Sequence, residues 1–208
     1  QPMCGRTWAR TAASFLGMWV VMMAAMMLPS QVPMLRRYVR AAEEAGSACP
    51  ARLAAIAGLG YFGVWTAIGI VVFPIGAALA SLAIESPALA RGVPVMTGMA
   101  VAVMGALQFP AWKARRLACC RAAPDDQARS ADALAAWRHG LRHGVDCARC
   151  CGNLMAIALA LGAMNLTAMI AVTAAVTAER IAPAGLYIAR GIGTGAVMLG
   201  LLLAARAL

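Results

Sequence analysis

The seventeen residues His139-Gly-Leu-Arg-His143-Gly-Val-Asp-Cys147-Ala-Arg-Cys150-Cys151-Gly-Asn-Leu-Met155 carry two histidines, three cysteines and a methionine. On one helix, His139, His143, Cys147, Cys151 and Met155 form a ladder at i, i+4, each step rising about 6 Å and drifting roughly 40° around the axis. Cys150 lies three residues after Cys147, so those two sulfurs can share one ion. Thiolate, thioether and imidazole together suit Cu(I) or Zn(II). The plain alternative is that sulfur residues are ordinary filler in an apolar helix. That alternative holds for any one of them, but the density at a single spot favours metal binding.

Further soft donors lie elsewhere. Met18-Trp-Val-Val-Met22-Met23-Ala-Ala-Met26-Met27 puts Met18, Met22 and Met26 on one helix face and Met23 and Met27 on the next. Cys119 and Cys120 form a doublet in a basic stretch. Arginines around thiols favour the thiolate. Seven cysteines, an odd and clustered set, fit reduced thiols holding a metal better than a disulfide framework. Cys4 and Cys49 stand apart and are given no role. The outer methionines Met96, Met99 and Met169 read as flexible packing.

The elements that must position these donors are transmembrane helices. Of 208 residues, 62% are hydrophobic and 12% charged, with a mean hydropathy of +0.76. Several apolar runs are long enough to cross a bilayer. The expected fold is all-α: one domain, a polytopic membrane helix bundle of about five spans, at about 11–35, 53–84, 93–112, 150–177 and 183–205. A short amphipathic helix, capped by Ser130 and running through Trp137 to Arg142, is expected at the headgroup level before the fourth span. Tyr61 and Trp65 read as interfacial anchors. Gly58, Gly60, Gly63 and Gly69 read as close helix packing. Asn165 falls near the middle of the fourth span as a helix–helix hydrogen bonder. Arg190 is expected to snorkel to the outer interface. Glu179, read as a lone carboxylate, points to no chemistry. Asp146 reads as a solvated charge.

The net charge of +10 does not signal nucleic acid, because the arginines fall between apolar spans. Arg36, Arg37, Arg40, Arg52, Arg206 and the eight basic residues from Lys113 to Arg149 fall on one side of a five-span protein. This charge bias makes the Cys-rich 113–150 connector cytoplasmic and the N-terminus external, in a bacterial inner membrane. Three helices then offer soft ligands to one leaflet: Met26 and Met27, Cys119 and Cys120, and the Cys147–Met155 ladder. The chain starts with Gln, so processing or a missing upstream piece is expected.

Several motifs carry a resemblance. They are Trp19-Val-Val-Met22-Met23-Ala-Ala-Met26-Met27-Leu-Pro29, Gly60-Tyr61 followed by Trp65, Gln108-Phe-Pro110 before Lys113, and Cys119-Cys120-Arg121. Gly140-Leu-Arg-His143-Gly with Cys147-Ala-Arg-Cys150-Cys151, Met155, and Met164-Asn165 with Met169 complete the set. Over about residues 15–180 the chain resembles the bacterial predicted metal-binding integral membrane proteins, a family of unknown function. The resemblance implies a bound metal and names neither ion nor activity. The chain departs from that pattern at Gly152, where Trp is frequent, and in its cysteine doublet, where one cysteine is usual; it begins just before the first span, where members often have an earlier helix, which leaves the total helix count open.

Four functions follow, in order. The first is Cu(I) binding for handling, delivery or transport, with a metal donor or acceptor protein as partner and the lipid bilayer as surroundings. Thioethers favour Cu(I) and are poor zinc ligands, which places copper ahead of zinc. The second is a structural zinc site built from His143, Cys147, Cys150 and either Cys151 or Cys119. The third, a membrane oxidoreductase, finds no acid/base residues, and no catalytic residue is assigned. The fourth is a metal-free scaffold in a larger complex.

Overall fold

A computed structural model describes residues 8–121, 132–162 and 165–207. The described residues form helices and no strands: α1 (Trp8–Glu44), α2 (Pro50–Glu85), α3 (Pro87–Ala106), α4 (Ala111–Arg121), α5 (Ala133–Ala160), α6 (Leu166–Ile181) and α7 (Gly185–Ala207).

Local chemistry sets the helix ends. At the end of α1 the Ser47 N–H reaches the Ala42 carbonyl and the Gly46 N–H the Glu43 carbonyl, while Gly46 takes φ +74°. That left-handed residue closes the last carbonyls of the helix. Pro50 opens α2 at a position where a missing N–H costs nothing. Asp132 accepts from the Leu134 N–H and caps α5. Between α5 and α6 the chain passes through Gly162 at φ +107°, and Asn165 accepts from the Ala168 N–H to start α6.

Two close pairings hold the bundle. α1 runs antiparallel to α2: Trp8 and Phe15 meet Phe73, the Trp19 Nε1 donates to the Trp65 carbonyl at 2.8 Å, and Tyr38 packs with Leu53 and Ala57. α5 then lies parallel on α2 through glycines. A Cβ at Gly60 would sit 2.7 Å from the Trp137 carbonyl, and one at Gly140 would overlap the Ala57 carbonyl. α3 and α7 form the second pairing, antiparallel, with Gly98 against Ala204 and Gly105 against Ala196. Small residues let backbones approach this closely. The core between the pairings is rich in sulfur and aromatics: Trp19, Met23, Met27, Trp65, Cys147, Cys150, Cys151 and Met155.

Several expectations change. α1, α2 and α7 are long and apolar enough to cross a membrane, and a fourth crossing is counted if the pair Ala90–Ala106 and Ala111–Cys120, bent by 73°, is one broken span. The expected span at 150–177 is not one helix. The chain breaks after Ala160 and α6 returns toward the cysteines, bringing Arg180 beside His143 and Cys147. The amphipathic helix and the start of the fourth span, expected as separate elements, are a single α5, which carries the whole His139–Met155 ladder and is drawn into the bundle by Gly140 and Gly144. Ser130 lies outside the described residues, as do Cys4 and Met164. Asn165 is an exposed helix cap, not a mid-span amide. The reversal also turns α7 around. Its start, near Arg190, lies at the Gln108 end of α3, and its finish, near Arg206, at the Gly98 end.

Candidate metal centre

Cys147, fully buried on α5, is the best-contacted sulfur. Its Sγ lies 3.0 Å from the Tyr61 hydroxyl, 3.4 Å from Arg180 Nη1 and 4.0 Å from Cys151 Sγ. Tyr61 comes from α2, which Gly140 and Gly144 allow to approach α5. Arg180 comes from the last turn of α6, returned by the break at Gly162. Of these three contacts the Arg180 guanidinium can only donate, and a cation held against a sulfur favours its anionic form.

Arg180 is the hub. Its Nη1 also donates to Ser30 Oγ at 3.0 Å, and its Nη2 lies 3.2 Å from His143 Nε2. A guanidinium can only donate, so that imidazole nitrogen is the unprotonated one. The Gln31 amide sits at 3.0 Å from the same nitrogen through its oxygen. Turning that amide over would face its buried NH₂, which has no partner as placed, toward the ring.

A second polar group fixes the backbone of the cysteine run. Lys113 on α4 and Glu179 on α6 are both fully buried and paired at 2.9 Å. The Lys113 ammonium donates to the Cys150 carbonyl at 2.7 Å, and Gln108 donates to Glu179 at 2.9 Å. α4 thereby brings Cys120 against α5, where its thiol donates to the Asp146 carbonyl at 3.3 Å. Cys120 on α4 and Cys147, Cys150 and Cys151 on α5 lie in one buried cluster, a run of four sulfurs from two helices. Among the described residues no three His, Cys, Asp or Glu side chains converge as a metal cage. The arrangement is a run of sulfurs that includes one close pair. Two metal–sulfur bonds of about 2.3 Å span at most about 4.6 Å, so the Cys147–Cys151 separation can be bridged by one ion.

The other residues singled out in the sequence are distributed around this run. Met26, Met27 and Met155 are buried in the same cluster as the cysteines. His139 packs against Tyr38 with ring centres 5.1 Å apart and the rings tilted by 34°, and it lies nearly parallel to the His143 ring at 6.4 Å. Cys119 is exposed, on the face of α4 away from Cys120. Tyr61 and Trp65 are not interfacial anchors, since both are buried and bonded to core partners. Glu179 is not a lone carboxylate, because the returning α6 delivers it to Lys113. The sequence reading missed Ser30, Gln31, Lys113, Glu179 and Arg180 as parts of the site. A signal existed for the last three: ionisable residues flanking long apolar runs must find partners when buried.

The family model described as PpoB2: Copper chaperone matches residues 16–203. No curated protein and no solved structure matches the chain.

Proposed function

The chain belongs to the PpoB2 copper-chaperone family, and from that premise we propose that it is a multi-pass membrane protein that holds Cu(I) on buried cysteine sulfurs and passes it on. The observation that carries this reading is the sulfur run ending at Cys147 and Cys151, 4.0 Å apart and buried beside Arg180. A soft monovalent cation is well served by two sulfurs in an apolar shell. Cys147 and Cys151 are the proposed holding pair, Cys150 and Cys120 adjoin them, and Met155, Met26 and Met27 supply thioether surroundings.

The protein's own groups have separable tasks. Tyr61 and Arg180 keep the Cys147 sulfur anionic while no ion is present. Lys113 clamps the Cys150 carbonyl and so fixes the register of the run. The apolar core around Trp19 and Trp65 keeps water from the sulfurs. Arg180 also supplies the positive charge that a cargo ion would replace, so capture and release exchange one cation for another beside Cys147. The basic ends of α1 and α4 are proposed to face the cytoplasm of a bacterial inner membrane, where thiols stay reduced.

A zinc site is the weaker reading. Four-coordinate zinc needs its donors around one point. His143 Nε2 already meets Arg180 and Gln31, and Cys119 points outward.

The test is copper and zinc content of detergent-purified protein after anaerobic loading, wild type beside Cys147→Ser/Cys151→Ser. Copper near one ion per chain in the wild type, lost in the double variant, is the expected result. Zinc in place of copper, or copper unaffected by the substitutions, refutes the proposal.

A further inference from the structure

The buried sulfurs need a way in. Three sizeable grooves on the surface are apolar or shallow, and none reaches a cysteine. A fourth cleft, of about 130 Å³, opens between α1, α4 and α6. Its rim carries the exposed Arg37 and Ile181, and its inner wall carries Ser30, Met34, Cys120 and Arg180, all nearly buried. That volume exceeds the roughly 30 Å³ of a water molecule several times over. Two soft donors, the Met34 thioether and the Cys120 thiol, therefore line a cleft that leads from the surface to the buried sulfurs.

We infer that this cleft is the port through which Cu(I) reaches and leaves the buried sulfurs, with Met34 and Cys120 as first acceptors. The inference rests on the copper reading above and extends it to a route. From Cys120 the ion passes into the buried cluster that holds Cys150, Cys151 and Cys147 and comes to rest between Cys151 and Cys147, 4.0 Å apart. On entry the Cys120 proton leaves to solvent at the cleft mouth. Each later transfer to a thiol forms a copper–sulfur bond to that sulfur, breaks one to the last, and hands the incoming proton to the sulfur released; Cys147, already a thiolate, adds to copper with no proton moved and Cys151 stays bound, so copper remains Cu(I) throughout. Arg180 stands at both ends of this path, on the cleft wall and 3.4 Å from Cys147. It is placed to feel the ion's arrival at either.

The test separates rate from capacity. Detergent-purified protein is mixed anaerobically with Cu(I) held by bathocuproine disulfonate, and loss of the chelate's colour gives the initial rate and the final copper per chain. Ile181→Trp fills the mouth of the cleft without touching a sulfur; Ile181 is 54% exposed, so the larger ring is accommodated. Capture slowed about tenfold, through lost access to the exchanging thiols, with final copper equal to wild type, is the expected result. Cys120→Ser is expected to slow capture to a similar degree. Ile75→Trp, at an exposed position on α2 outside the cleft, keeps the wild-type rate. A wild-type rate in Ile181→Trp, or in Cys120→Ser should the first variant fail to fold, overturns the port while leaving the copper reading standing. A wild type that takes no copper overturns both.

Discussion

Replacing Lys113 by Met tests whether the site depends on a buried ion pair. Lys113 Nζ lies 2.9 Å from Glu179 and 2.7 Å from the Cys150 carbonyl, and neither side chain of the pair is exposed to solvent. Without the ammonium, Glu179 still accepts from the neutral Gln108 amide but loses its counter-charge, and the Cys150 carbonyl loses its side-chain donor. Breaking one partner of a buried pair costs about 3–5 kcal/mol, because the other charge is stranded. For a chain of about this size each kcal/mol moves the midpoint by roughly 2–4 °C, so the fall is on the order of 6–20 °C. Adding Glu179→Gln removes the stranded charge. The double variant should recover most of the loss, with a coupling energy of about 2–3 kcal/mol. The assay is a thermal melt in detergent, read by size-exclusion fluorescence, on wild type, both single variants and the double. A Lys113→Met midpoint within about 2 °C of wild type, or strictly additive effects, would refute the reasoning.

Three other outcomes are expected. Gly140→Ala drives a methyl into the Ala57 carbonyl and should cost about 3 kcal/mol, seen as a lower melting midpoint, since backbone cannot yield as a side chain can. Tyr61→Phe removes the hydroxyl 3.0 Å from Cys147 and should cost about 1 kcal/mol in the same melt while leaving copper per chain unchanged. Cys119→Ser and His139→Asn should also leave copper content at the wild-type value by elemental mass spectrometry, because one side chain faces outward and the other packs against Tyr38.

The helical class of the chain and the i, i+4 line of Cys147, Cys151 and Met155 were legible, because both follow from periodicity along one segment. Gly60 and Gly69 were also legible as packing positions, since a missing side chain in an apolar run already implies a close neighbour. What could not be read was the reversal at Gly162. Residues 150–177 are apolar throughout, and hydropathy records length in sequence without recording direction in space. With the turn missed, Glu179 and Arg180 were assigned to the far side of the membrane, and the partners of Lys113 and Cys147 vanished with them. Tyr61 and Trp65 were misplaced for a related reason. An aromatic near the end of an apolar helix suits an interface, and only the neighbouring α1 and α5 reveal that these two are enclosed.

The reversal bears on how such a chain is made. In the membrane reading, α6 would carry a carboxylate and a guanidinium into the bilayer interior, each costing about 2.5–3.5 kcal/mol if it arrived alone. Both meet partners synthesised earlier: Lys113 and Gln108 for Glu179, and Cys147, Ser30 and His143 for Arg180. The segment from α5 to α6 is therefore suited to insertion as a unit against helices already in place. A nascent chain stopped before residue 179 would leave Lys113 buried without its counter-charge. Enclosure of the sulfur pair and completion of the fold would then be one event, since Arg180 reaches Cys147 only once α6 is in place.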